Sequence, residues 1–213
     1  GVQTCALPIY SLQLRARQAL VIAFPKLQRI TRLLGFGGDD IYGEGRSRPM
    51  NEPVRTTLME AEAREAPQAA ARLVTKATPG LRLLGERLRR LSPRYAVAAG
   101  RGSSDAAALL AKYLFEARLG LPVVSAAPSI RSIYGRQLNI EKALLLAISQ
   151  SGRSPDLVEF CRSATGPDVL RVGLINDAGS PLAEIMDVFV PLEAGPERSV
   201  AATKSCIAAM TLV

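Results

Sequence analysis

Apolar and small residues recur at helical spacing between residues 54 and 75, with Leu58, Ala66, Ala69, Ala70 and Leu73 suggesting one face. Glu60, Glu62 and Glu65 precede Arg72 and Lys76 along the same stretch. Pro79-Gly80 predicts a break, and a second helix is expected to run to about Leu91, where Ser92-Pro93 breaks the chain again. The period then changes. Short apolar runs predict strands at Tyr95–Ala99, Pro122–Ala126, Ala143–Ile148, Val169–Ile175 and Val188–Leu192. Between them lie predicted helices at Ser104–Leu119, Ser129–Leu138, Ser154–Ala164 and Pro181–Met186, and another from about Val200 onward. The third run, ALLLAI, is apolar throughout, as expected of a strand covered on both faces. The expected fold class is therefore α/β: a three-layer sandwich with a five-stranded parallel sheet and helices on both faces, preceded by N-terminal helices.

Residues 1–49 read differently. Gly1–Ile9 resembles a translated sequencing-library adaptor, residues 11–34 have a basic helical pattern interrupted by Pro25, and residues 35–49 are glycine-rich. Met50 opens the sensible patterning and is read as the natural start. The expected division is 1–49 as a non-native or disordered extension, 50–92 as an N-terminal helical segment and 93–213 as the α/β domain. The net charge of +8 is shared unevenly, because residues 1–49 hold seven Lys/Arg against three Asp/Glu. The main body has scattered arginines rather than a basic stripe with aromatics, so no nucleic-acid partner is expected. No apolar run approaches the roughly 20 residues of a bilayer span, and no membrane or secretory role is expected. Cys5, Cys161 and Cys206 form no CxxC pair, and histidine is absent. A Cys/His zinc site is thereby excluded, along with the commonest general base. Cys161 and Cys206 fall in predicted helices and read as small apolar residues in a reducing cytoplasm.

Parallel α/β domains bind ligands at the carboxyl ends of their strands. Three such ends are rich in Gly, Ser and Thr: Gly100–Ser104, Ser149–Ser154 and Glu193–Lys204. The second follows the most apolar strand and precedes a helix, where free N–H groups and the helix dipole suit a phosphate. Ser149, Ser151 and Ser154 add hydroxyls beside Gln150, and Gly152 permits a close backbone approach. Plain helix capping would need only one of these serines. The first loop lacks the third glycine of a dinucleotide fingerprint, so no nicotinamide cofactor is expected. Ser103 and Ser104 read either as N-caps or as part of a shared anion site. Lys204 lies early in a predicted helix, where the dipole slightly disfavours it; its plain reading is a solvated side chain, and its misplacement is mild evidence of function.

SQSGRSPD resembles the SQSG-x-[ST]-x-D signature of SIS (sugar isomerase) domains. AGRGSSDAA resembles their first-strand loop, and PERSVAATKS resembles the E-x-S-V-A-[AS]-T-K-[ST] loop after their fifth strand. Thr57-Leu58-Met59, Glu62, Glu65 and Pro67 are similar to the opening of the two-SIS-domain enzymes. That resemblance implies a flavodoxin-like sheet and the first of two SIS domains, the second being absent. It further implies that Ser104, Ser149, Gln150, Ser151 and Ser154 hold a sugar phosphate. Val200 and Ala202 would line the sugar near its reacting end, with Glu197 close by. The substrate would be a phosphorylated hexose or hexosamine such as glucosamine 6-phosphate. The implied activity is deamination or aldose–ketose isomerisation, without cofactor or metal, in a cytoplasmic homodimer. In glucosamine-6-phosphate synthase a serine usually stands at the position of Ala202 and a threonine at that of Ser154, which ranks the synthase second. The family's acid/base groups, a Glu, a Lys and a His, belong to the second SIS domain. This chain alone is therefore expected to bind weakly and catalyse little, with no catalytic residue of its own.

Two rivals stand beside this reading. Some regulators join a helix-turn-helix to one SIS domain, and residues 10–34 are basic enough to raise that possibility. Their length and Pro25 argue against a three-helix DNA-binding domain. The other rival is a generic α/β domain whose serines only cap helices.

Overall fold

The computed structural model describes residues 56–213, and the expectations for residues 1–55 lie outside this range. Helix α1 spans Leu58–Arg64 and α2 spans Ala66–Leu91. There follow β1 (Tyr95–Ala99), α3 (Ser103–Leu119), β2 (Val123–Ser125), α4 (Ser129–Ser132) and β3 (Ala143–Ser149). The rest is α5 (Pro155–Ser163), β4 (Val169–Ile175), α6 (Pro181–Glu184), β5 (Val188–Pro191) and α7 (Lys204–Leu212). All sheet pairings are parallel and the strand order is β2-β1-β3-β4-β5. This is the flavodoxin-like doubly wound order. The expected α/β sandwich is the observed one.

β3 explains the layering. Every residue from Ala143 to Ser149 is buried. Leu144, Leu146 and Ile148 join a core with Leu73 of α2, Ala107 of α3 and Ala208 of α7. Ala143, Leu145 and Ala147 join a second core with Leu157, Phe160 and Cys161 of α5 and Leu182 of α6. The period-2 alternation thus sends successive side chains into opposite layers. Cys161 has no exposed surface and burial pushes its thiol up to about 12, so it packs as an apolar residue.

The expected break at Pro79-Gly80 is not there. α2 runs through Pro79 for 26 residues. Ala69, Leu73 and Ala77, with Leu84 and Leu88 beyond the proline, form one stripe packed on the core. An interior proline costs about 3 kcal/mol. Full burial of a leucine contributes about 1.5–3 kcal/mol, so the partly buried Leu84 and Leu88 together recover a free energy of the same order as that cost. Two further elements are shorter than expected: α4 stops at Ser132, and α6 at Glu184. α7 begins at Lys204 rather than Val200, because a carboxylate from the preceding loop captures its first amides.

Candidate functional site

The parallel register brings three loops to one edge of the sheet. Ala99, the last residue of β1, pairs with Ala147, two residues before the end of β3. Ser149 pairs with Ile175 at the end of β4, and Ile175 with Pro191 at the end of β5. The segments 100–104, 149–154 and 192–203 therefore leave the sheet on the same side.

The turn after β3 is built from its own atoms. The buried Ser149 Oγ accepts the Gly152 N–H at 2.9 Å. Gly152 has φ of +61°, and a Cβ there would lie 2.0 Å from Ser180 Oγ. Only glycine satisfies both conditions. The exposed Ser151 accepts the Arg153 N–H at 3.3 Å. Neither Ser151 nor Ser154 caps α5. Ser154 is the N-cap residue but makes no side-chain cap bond; its hydroxyl donates to Asp156 Oδ1 at 2.8 Å. The same Asp156 oxygen accepts the Leu157 N–H at 2.9 Å. Asp156 Oδ2 pairs with Arg101 at 3.0 Å, which ties the first loop to the second.

In the first loop the N-cap of α3 is Gly102, and Ser103 and Ser104 occupy the first helical turn. Neither serine caps the helix. Both are half-buried, and among the described residues neither hydroxyl makes a hydrogen bond. A Cβ on Gly100 would come within 2.7 Å of the Ser104 carbonyl, so this turn too depends on a close backbone approach. Cys206 of α7 donates its thiol hydrogen to the Ser103 carbonyl at 3.4 Å. Burial, then the Glu197 charge, raise that thiol's pKa, so it is no ready thiolate.

The third loop is organised around Glu197. Its Oε1 accepts the N–H groups of Thr203 and Lys204 at 2.7 and 2.8 Å and the Thr203 hydroxyl at 3.1 Å. Its Oε2 accepts the Ser205 hydroxyl and the Gln150 amide, the latter at 3.0 Å. One carboxylate thus caps α7, neutralises its dipole and fastens the third loop to the second. Glu197 thereby satisfies the first amides of α7. Val200 is 99% exposed, and Ala202 is half-buried.

Lys204 is not the solvated side chain its position suggests. It is 2% exposed, and its Nζ lies 2.6 Å from Glu65. Glu62 is also buried, and its carboxylate accepts the Arg198 N–H at 2.7 Å, the Ser199 N–H at 3.0 Å and the Ser199 hydroxyl. The Ser199 hydroxyl first, then the Arg198 N–H, hold its carboxyl below the usual range. Sequence reasoning assigned no role to Glu62, Glu65, Arg101 or Asp156. A signal existed for Glu62, which lies in phase with the buried Ala66, Ala69, Leu73 and Ala77. An acidic residue on an apolar stripe needs a partner.

A groove of about 610 Å³ also runs beside α5, lined in part by Arg131, Arg153, Val158 and Arg162. It includes none of the predicted site serines, and its arginines already pair with Glu159 and Asp177.

A profile of the SIS domain matches residues 92–213, more than half of the chain. Glutamine–fructose-6-phosphate aminotransferase (isomerizing) of Pyrococcus horikoshii is 40% identical over 107 residues, covering 50% of this chain and 18% of that protein. A crystal structure from Silicibacter pomeroyi, provisionally assigned as a phosphosugar isomerase, is 41% identical with a TM-score of 0.68. That match covers 72% of this chain and 47% of the other. The C-terminal domain of glucosamine-fructose-6-phosphate aminotransferase from Francisella tularensis has a TM-score of 0.63 at 22% identity, over 78% of this chain and 48% of its own, and shows the shared fold. The matched region is about a fifth of the curated relative's length and about half of each solved chain. The chain belongs to the SIS domain family.

Proposed function

We propose that this chain binds a phosphorylated sugar as the N-terminal half of an amino sugar phosphate deaminase or aldose–ketose isomerase. Glucosamine 6-phosphate, or a similar hexosamine phosphate, is the substrate on this reading. The observation that carries it is the convergence of hydroxyl-bearing turns from different strands on one sheet edge, two of them joined by the Gln150–Glu197 bond. Ser103, Ser104, Ser149, Ser151 and Ser154 form the phosphate cradle, with backbone N–H groups at the start of α5. Gln150 and Glu197 set the spacing between the phosphate turn and the loop bearing Val200 and Ala202, against which the sugar lies. A remote phosphate contributes binding energy and orientation, while proton transfer between C1 and C2 falls to a carboxylate outside these loops. The working form is a cytoplasmic homodimer.

A second reading is the isomerase half of a glutamine–fructose-6-phosphate aminotransferase, the name carried by the Pyrococcus horikoshii relative. Ala202 favours the deaminase and isomerase branch. Titration calorimetry of the folded chain with glucosamine 6-phosphate and fructose 6-phosphate tests both readings. Heat with either sugar phosphate supports the site, and a folded sample silent with both rejects it. A preference for glucosamine 6-phosphate supports the deaminase reading, and a preference for fructose 6-phosphate the aminotransferase.

A further inference from the structure

The loop that follows β5 is anchored by side chains far earlier in the chain. Glu62 precedes Arg198 by 136 positions, yet its two oxygens take the consecutive N–H groups of Arg198 and Ser199 and the Ser199 hydroxyl. Binding two successive amides to one carboxylate fixes the planes of both peptides. Glu65, one turn later, pairs with the buried Lys204 at the other end of the segment. Between these anchors lies Val200, which is 99% exposed and gains no fixed position from packing. At the upstream end Lys76 pairs with the Glu193 carboxylate at 2.8 Å, and Arg72 donates to the Glu193 carbonyl at 3.2 Å.

We infer that Glu62 and Glu65 are positioning residues for the sugar end of the site: they hold the peptide that presents Val200 and Ala202, and so set which sugar is accepted. This rests on the phosphosugar reading above. Neither residue touches the ligand. Nor does either bond the phosphate turn directly: the turn's closing bond runs from Gly152 to Ser149, and its link to the loop is the Gln150–Glu197 bond. The division of labour follows from that separation: one turn takes the anion whatever is attached to it, and a loop aligned from α1 discriminates among the attachments. Glu62 has the burial this task requires. A 5%-exposed carboxylate is tolerated only with its acceptors filled, so the loop geometry that fills them is strongly preferred over alternatives.

The test compares two probes on one protein, inorganic phosphate and glucosamine 6-phosphate, each titrated by NMR into the full chain and into Glu62→Gln. Thermal melting establishes that the variant is folded. Glu62→Gln should bind glucosamine 6-phosphate about tenfold more weakly, the scale of one charge-assisted hydrogen bond, and inorganic phosphate within about twofold of the unaltered chain. Ser199→Ala, which leaves Glu62 in place, should shift the same ratio in the same direction by a smaller factor. It also provides the answer if Glu62→Gln does not fold. Equal losses for both probes would indicate a merely structural role and overturn the inference, as would an unchanged ratio in both variants. If the unaltered chain binds neither probe, the phosphosugar reading itself fails, a result distinct from binding that ignores Glu62.

Discussion

The turn Ser149–Ser154 and the loop Glu193–Lys204 border the same sheet edge but are held in opposite ways. The turn is closed by neighbours in sequence: Ser149 to Gly152, Ser151 to Arg153, Ser154 to Asp156. The loop is anchored by Glu62 of α1, by Glu65 at the junction of α1 and α2, and by Arg72 and Lys76 of α2, all more than a hundred residues earlier. A self-closed turn suits an invariant ligand group such as phosphate. A loop aligned from an earlier segment can vary its reach around its one tie to that turn, the Gln150–Glu197 bond.

The most severe way to break the comparison is Gly152→Ala. The added Cβ would lie 2.0 Å from Ser180 Oγ at a φ of +61°, which demands a shift of the turn. Overpacking and strain together should destabilise the protein by about 3 kcal/mol, read as a lowered melting temperature. The double change Ser149→Ala and Ser151→Ala should spare the fold, costing about 1 kcal/mol for the lost bond to Gly152. Sugar-phosphate affinity should nonetheless fall at least about a hundredfold in calorimetry, because the charged hydrogen bonds to the anion go with the hydroxyls. Survival of affinity would remove the turn from the site.

Acidification separates the two regions more finely. The Glu62 carboxyl lies below its ordinary value in the folded chain, so its contribution is complete above that value and is lost as pH falls through the depressed one. Amide exchange at Arg198 and Ser199 should therefore speed up as pH drops below about 4, after correction for intrinsic rates, relative to the uncharged Ser149–Gly152 bond. The smallest effect is expected at Arg101, whose side chain is largely exposed where it pairs with Asp156. Arg101→Ala should change stability by less than about 1 kcal/mol in urea unfolding.

How far these regions were legible differs for a physical reason. The apolar run of β3 and the break at Ser92-Pro93 act within a few residues, and the structure has both: Ala143–Ser149 is buried throughout and α2 ends at Leu91. The sequence places the start of the last helix at about Val200, whereas α7 begins at Lys204. The true start is decided by Glu197, whose carboxylate captures the Thr203 and Lys204 amides. Pro79 was read as a break, yet the stripe from Ala69 to Leu88 buries continuously through it. Lys204 read as solvated because its partner, Glu65, is 139 positions away.

By itself the chain's order of residues determined the parallel α/β class, the serine-bearing turns and the absence of any histidine chemistry. Those properties follow from periodicity and composition, which act along the backbone. Only the tertiary structure decided that α2 passes its proline, that Glu197 caps α7 while holding Gln150, and that α1 anchors the loop before α7. Each of these is a contact between distant segments, and its free energy exists only once the sheet has brought the segments together.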